Sequence, residues 1–306
     1  MSDKHPIIAV TGSSGSGTTS VTRTFQGIFR REGVNAAIVE GDSFHSLDRM
    51  AMKAELEKRL AVGDQTFSHF GPESNLFPEL EALFRDFSEK GTARSRYYLH
   101  DQDDAARHGQ EPGTFTPWQD LPPADLLYYE GLHGAVQTAE ADVARWPDLL
   151  VGVVPVINLE WIQKIHRDKD KRGYSTEAVT DVILRRMHDY VHYICPQFTR
   201  THVNFQRVPM VDTSNPFIAR DIPSPAESMV VIRFRDPKGI DFPYLLSMLQ
   251  DSFMSRANTI VVPGGSMELA MQLILTPYIW RMMEKRRAMV GQVSHPRPST
   301  PRPIHA

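Results

Sequence analysis

Ile7-Ile8-Ala9-Val10-Thr11-Gly12-Ser13-Ser14-Gly15-Ser16-Gly17-Thr18-Thr19-Ser20 is the stretch from which the fold can be read. It opens on a short apolar, β-branched run and passes through residues that are all glycine or serine from Gly12 to Gly17. Val21, Phe25, Ile28 and Phe29 then recur at helical spacing as far as Gly33. The order is strand, loop, helix. Gly12 and Gly17 have the spacing of the phosphate-binding pattern G-x-x-x-x-G-K-S/T, in the context that pattern requires. Such glycines let backbone N–H groups turn toward phosphate oxygens, the helix N-terminus adds its dipole, and Thr19 would place a hydroxyl on Mg²⁺. Thr18 stands where the pattern has lysine, so the missing positive charge must come from elsewhere in the chain. Two rivals share these residues. One is a ligand-free Gly/Ser loop; the other is a dinucleotide fingerprint, Gly15-x-Gly17-x-x-Ser20 followed by Glu40, which lacks its third glycine.

Outward from that stretch, Ala36 to Glu40, Leu126 to Tyr129 and Val151 to Ile157 read as further buried strands, with helices around Met50 to Leu60 and Leu80 to Phe87. Strands alternating with helices predict an α/β fold: a P-loop kinase-like, mixed but mostly parallel sheet with helices on both faces. Met229 to Phe234 and Thr259 to Pro263 extend the sheet, and an amphipathic helix runs from about Met267 to Glu284. Between Phe198 and Pro225 four prolines predict only short, edge or hairpin strands. Residues 1–290 are expected to form one domain, and 291–306, rich in proline, a disordered tail.

The chain has 306 residues, 41% hydrophobic and 23% charged, enough to bury a full core. Its formal net charge of -3 creates no general field for nucleic acid or anionic membrane, so an anionic ligand must be held by local Arg and Lys. No run approaches the roughly 18 apolar residues that span a bilayer, and the early apolar run does not follow a signal-peptide pattern, so a cytoplasmic location is expected. Cys195 is the only cysteine, which excludes an intramolecular disulfide and a multi-cysteine metal site.

Two acids close predicted strands. Asp42, in Glu40-Gly41-Asp42-Ser43-Phe44-His45, sits at a strand C-terminal end, where open α/β sheets bind ligands and where a kinase acting on an alcohol needs a base. Glu130, ending Leu127-Tyr128-Tyr129-Glu130, stands where P-loop proteins hold an acid near Mg²⁺. Taken singly, Asp42 could equally cap a turn. The predicted strand ending at Ile157 is followed by Asn158 as a candidate N-cap, then by a helix running into Lys164-Ile165-His166-Arg167-Asp168-Lys169-Asp170-Lys171-Arg172-Gly173. A solvated helix end fits that run. So does a lid over 164–175 whose cations replace the absent loop lysine.

Together GSSGSGTTS (Gly12 to Ser20), EGDSFH (Glu40 to His45), YYEGLHG (Tyr128 to Gly134), INLEWIQKIHRDKDKRGYS (Ile157 to Ser175) and PMVDTSNPFIAR (Pro209 to Arg220) resemble the uridine kinase and phosphoribulokinase group of P-loop kinases. The resemblance runs from Lys4 to about Glu284 and is strongest to bacterial-type members, which Thr18 also fits. It implies phosphorylation of D-ribulose 5-phosphate at its C1 hydroxyl by MgATP, a Calvin-cycle step. By position, Asp42 would be the general base, while Thr19, Glu130 and Asp168 would serve Mg²⁺ and the ATP phosphates. Lys164 and Arg167 would neutralise the transferring group. His45, Arg49, Lys53 and Arg172 would surround the sugar phosphate, with Tyr98, His100 and Arg31 as further candidates. Chloroplast-type members carry a regulatory cysteine in the loop where Ser16 stands here. Bacterial members are homo-oligomers activated by NADH and inhibited by AMP, for which Arg185, Arg186, Arg233 and Arg256 are the candidate residues. A uridine kinase-like or other small-molecule kinase, or a non-catalytic nucleotide sensor, remains the alternative.

His188-Asp189-Tyr190-Val191-His192 imitates the zinc motif H-E-x-x-H. At about 100° per residue, however, the apolar face of Val179, Ile183, Met187, Tyr190 and Ile194 points roughly 130° or more from both histidines. They are expected to face solvent or a subunit contact rather than a metal.

Overall fold

The computed structural model describes residues 3–13 and 18–291, without the side chains of 18, 19, 171 and 172. Ser14, Gly15, Ser16 and Gly17, the side chains of Thr18, Thr19 and Arg172, and the proline-rich tail past 291 therefore lie outside the described residues. The strands are β1 (Ile7–Thr11), β2 (Ala36–Glu40), β3 (Arg94–Ser95), β4 (Gln119–Asp120), β5 (Leu126–Gly131), β6 (Leu149–Val154), β7 (Val203–Pro209), β8 (Ser228–Phe234), β9 (Phe253–Arg256) and β10 (Thr259–Pro263). The helices are α1 (Thr18–Glu32), α2 (Arg49–Ala61), α3 (Phe77–Lys90), α4 (Gln102–His108), α5 (Ile157–Arg172), α6 (Thr176–Asp189), α7 (Phe242–Met248) and α8 (Met267–Met289). None of the described helices is long and apolar enough to cross a membrane.

An eight-stranded sheet runs β2-β5-β1-β6-β7-β8-β10-β9, parallel from β2 to β7 and antiparallel beyond; β3 and β4 pair separately. Successive strand residues face opposite sides, so β1 feeds two cores. Ile8 and Val10 join Phe25, Tyr128, Ile274 and Leu275 under α1 and α8. Ile7 and Ala9 join Leu80, Phe84, Phe87 and Tyr129 under α3. Covering on both faces is why β1 is apolar at nearly every position rather than alternating.

The structure corrects three expectations. The strand expected to reach Ile157 begins earlier, at Leu149, and stops at Val154, because Pro155 has no N–H for the ladder. Ile157 instead opens α5, which puts Asn158 inside the first turn; the capping position is Val156, with no side-chain cap. The proline-rich segment holds an interior strand: β7 lies between β6 and β8 over seven residues, with Pro209 only at its end. Prolines 216 and 223 fall in the loop that follows and Pro225 opens a 3-10 turn before β8, where no ladder needs their N–H.

Candidate active site

Three parallel strand ends build the floor of the site. In register, Glu130 of β5 lies opposite Glu40 of β2 on one side and Val10 of β1 on the other. Gly12 N donates to Gly131 O at 3.1 Å, so the phosphate loop departs directly beside the acid-bearing strand. Glycines at 41 and 131 permit this approach: a Cβ on Gly41 would fall 2.5 Å from the Tyr129 hydroxyl and 2.8 Å from Gly131 Cα. Gln197, fully buried, ties the floor together. Its Oε1 accepts from Thr11 Oγ1 (2.9 Å) and Ala135 N (3.0 Å), and its Nε2 donates to Leu132 O (2.8 Å) and Tyr193 O (2.7 Å). Little in the local sequence marks Gln197, since only Tyr193 is near it in the chain, while Thr11 ends β1 and Leu132 and Ala135 lie in the loop after β5.

Asp42 sits in a single 3-10 turn, Gly41–Phe44, directly after β2. Arg96 holds that turn, donating from Nε to Ser43 O (2.9 Å) and from Nη2 to His45 O (2.6 Å) while its guanidinium lies 3.7 Å from the Phe115 ring centroid. Two histidines bracket the Asp42 carboxylate: His45 Nε2 at 3.4 Å and His100 Nε2 at 3.8 Å. Burial pushes the Asp42 carboxyl up, but its hydrogen bond with His45 and the electrostatic pull of the His45 and His100 imidazoles outweigh it, leaving Asp42 below its ordinary value and ionised. The His100 imidazole is raised, first by its hydrogen bond to Glu40 and, against burial, by Asp42. Arg49, the first residue of α2, donates from Nη2 to His100 O at 2.7 Å, and Tyr98 packs edge-on to His100 with ring centroids 4.9 Å apart. Lys53 is exposed one turn further along α2. Asp42, His45, Arg49, Tyr98 and His100 thus share one neighbourhood, although 58 positions separate His100 from Asp42.

The second wall is α5. Glu160, Lys164 and Asp168 are four apart and line one face of the helix, and all three are buried. Buried charges need partners. Lys164 donates to Asp168 Oδ2, and Arg167 Nε donates to Asp168 Oδ1 at 3.2 Å. Burial, helped by the Arg186 cation and opposed by Asp168, pulls the Lys164 ammonium down to about 8. Glu160 hydrogen-bonds Ser13 of the phosphate loop and accepts from the Tyr190 hydroxyl at 3.1 Å; burial raises its carboxyl despite both bonds. The sequence reading passed over Glu160, yet its i, i+4, i+8 spacing with Lys164 and Asp168 was the available signal. His69, missed as well, is half-buried with its ring 5.9 Å from the His45 ring, and its pKa is held well below the ordinary value by desolvation and then by Arg186.

Not every expected residue joins this group. Arg31 lies in the last turn of α1, roughly 20 Å of helix from the loop, and donates to Thr276 Oγ1 of α8 at 2.8 Å. Arg31 therefore departs from the sugar-phosphate role the resemblance implied. Arg172 closes α5, and Gly173 follows in the left-handed conformation. The four candidate effector arginines separate into two pairs. Arg185 and Arg186 are on α6, whereas Arg233 and Arg256 are each paired with Thr259 and flank it on one sheet face. His188 and His192 are exposed on the side away from buried Val179, Ile183, Tyr190 and Ile194. Asp189, at the zinc motif's glutamate position, is buried and accepts from Ser68 Oγ at 2.8 Å, a structural use. Cys195 is a free, exposed thiol.

A strand–phosphate loop–helix unit with an ionised acid after a parallel strand two places along the sheet and a cation-bearing helix opposite defines a P-loop phosphotransferase. The chain belongs to the Phosphoribulokinase / Uridine kinase family, whose model matches residues 7–214. It is 69% identical over 288 residues to the chromosomal phosphoribulokinase of Cupriavidus necator, covering 94% of this chain and 99% of that one. It is 64% identical over 288 residues to phosphoribulokinase 1 of Cereibacter sphaeroides, again covering 94% and 99%. The solved phosphoribulokinase from Rhodobacter spheroides superposes with a TM-score of 0.86 at 61% identity, over 94% of this chain and all of that one.

Proposed function

We propose that the chain transfers the γ-phosphoryl group of ATP to the C1 hydroxyl of D-ribulose 5-phosphate, giving D-ribulose 1,5-bisphosphate and ADP in the Calvin cycle. One observation carries the reading. An ionised carboxylate, Asp42, stands in the turn directly after β2, one strand from Glu130 and two from the phosphate loop, with His45, Arg49 and His100 around it. Phosphoryl transfer asks the protein mainly for positioning and charge stabilisation. Asp42 would take the hydroxyl proton as the oxygen attacks. The loop from Gly12 to Ser20 would hold the ATP phosphates through backbone N–H groups, and Lys164 and Arg167 would supply the cations Thr18 cannot. The hard oxygen donors of Glu130, Asp168 and Thr19 suit Mg²⁺, which when bound would neutralise phosphate charge. Arg49, Lys53 and Arg172 would hold the remote sugar phosphate, with His45, Tyr98 and His100 toward the sugar. The same reading extends, on family resemblance, to a homo-oligomer in the cytoplasm activated by NADH and inhibited by AMP.

ADP release measured with ribulose 5-phosphate, uridine and pantothenate offered separately tests this. Turnover is expected with the sugar phosphate alone, and Asp42→Asn should lower kcat by roughly 10²–10⁴ with the KM for ATP nearly unchanged. Equal turnover of uridine, or of dephosphorylated ribulose, would overturn it.

A further inference from the structure

His45 sits where a second short pairing begins. It bridges Asn75 in antiparallel fashion, while Leu76 N donates to Phe44 O at 2.8 Å and Ser46 N to Ser74 O at 2.9 Å. Asn75 is buried, and its amide group is fully assigned by its surroundings. Nδ2 donates to Gly71 O at 2.7 Å and to His69 O at 3.0 Å, which uses both of its hydrogens. Flipping the amide would turn Oδ1 against two carbonyl oxygens, so Oδ1 must be the atom facing His45 Nδ1 at 2.9 Å. An oxygen there can only accept. His45 Nδ1 therefore carries a hydrogen in every protonation state, and in the neutral ring Nε2 is left as a lone pair 3.4 Å from Asp42 Oδ1.

Two acceptors then face each other across a gap that a single proton would satisfy. Other groups near His45 cannot play Asp42's part. Half-buried His69, with its ring 5.9 Å away, and buried His133 are both held neutral by desolvation, the latter with its pKa drawn down to about 3. Arg96 binds the His45 carbonyl, not the ring. His100, on the far side of Asp42, is tied to Glu40 at 3.6 Å, and Lys164 and Arg186 act on His69.

We infer that Asn75 is a positioning residue that fixes the Nδ1–H tautomer of His45, so that neutral His45 receives on Nε2 the proton Asp42 takes from the reacting hydroxyl. This rests on Asp42 being the base of the proposed phosphoryl transfer. The O–H bond of the substrate breaks as its oxygen bonds the γ-phosphorus, and the bond from that phosphorus to the bridging oxygen breaks with its electron pair leaving on ADP. The proton goes to Asp42, then to His45 Nε2, and from the partly exposed imidazolium to water. Asp42 is thereby an anion again before the next substrate binds. His45 already protonated blocks the relay and weakens Asp42 as a base, so protonating it lowers kcat.

Nitrogen NMR of the full chain with isotope-labelled histidine reads the tautomer directly, His45 being assigned by the signal lost in His45→Gln. In neutral His45, protonated Nδ1 and unprotonated Nε2 are expected; a protonated Nε2 would overturn the inference. That measurement needs no turnover, so it fails separately from the substrate assignment. In steady-state kinetics, Asn75→Leu should lower kcat about ten- to a hundredfold with the KM for ATP little changed. Asn75→Asp keeps an acceptor at Nδ1 but adds an anion that favours imidazolium, and should move the acid limb of the kcat profile up by about one pH unit. A merely structural role would not move that limb, and an unmoved limb in a folded Asn75→Asp enzyme would also sink the proposal.

Discussion

Replacing Gly41 by alanine puts a methyl group into the tightest contact beneath the Asp42 turn. The new carbon would lie 2.5 Å from the Tyr129 hydroxyl and 2.8 Å from Gly131 Cα, against roughly 3.5–4.0 Å for unstrained carbon contacts. The shortfall to Gly131 is therefore about 1 Å. Neither neighbour can retreat. Tyr129 is buried against Phe84 and its oxygen accepts from His133 N, while Gly131 is held in the sheet beside β1 and receives Gly12 N. The displacement must be taken up by the Gly41 backbone, which carries Asp42. A misplacement of about 1 Å at a reacting group costs on the order of a hundredfold, so kcat should fall by about that factor. Overpacking should also cost about 1–3 kcal/mol, lowering Tm by roughly 2–10 °C. The assay is steady-state ADP release for wild type, Gly41→Ala, Asp42→Asn and the double variant. If the loss arises from moving Asp42, Gly41→Ala should cost little in the Asp42→Asn background, because the group it displaces is already gone. A kcat within about threefold of wild type, or full additivity in the double variant, would refute the reasoning.

Lys164, drawn down to about 8, is a cation below that pH and loses its charge above it, so kcat/KM for ATP should fall as pH rises through about 8. Lys164→Arg cannot deprotonate in this range and should flatten that limb, whereas an identical limb would assign it to another group. Arg49→Ala should raise the KM for ribulose 5-phosphate about ten- to a hundredfold, at roughly 1.5–3 kcal/mol for a charged hydrogen bond, and move the KM for ATP far less; an untouched sugar-phosphate KM removes Arg49 from the site. Gln197→Leu orphans buried Ala135 N at about 1–3 kcal/mol, read as a lower urea midpoint. Gln197→Glu should do no better, because it sets an oxygen against the Leu132 and Tyr193 carbonyls, and a stable Glu variant would contradict the assigned amide orientation.

Much of this molecule is legible in short windows. The runs Ile7 to Thr11, Ala36 to Glu40 and Thr259 to Pro263 are strands with the boundaries their composition predicts, and Asp42 and Glu130 fall at the strand ends where the motif reading put them. These features depend on residues within a few positions of each other, where sterics and the periods of strand and helix decide. Errors arose where that locality fails. Pro155 stops β6 although the apolar run continues, and Ile157 is apolar because it packs beside Phe70 and Ile194 as part of α5. The prolines around β7 looked disruptive until pairing with both β6 and β8 placed them outside its ladder.

The sequence by itself determined the phosphate loop, the two strand-end acids, the charged helix and the family. Only the tertiary structure decided which of these stand together. Strand order brings Glu130 between Glu40 and Val10, and chain folding brings Asn75 onto His45 and Gln197 onto Thr11. It also carries Arg31 away to α8, although Arg31 lies close in sequence to the loop. Local patterns record which face of an element is buried. Which elements become neighbours depends on how the whole sheet satisfies its hydrogen bonds and covers both faces, a balance spread over the entire chain that no short window contains.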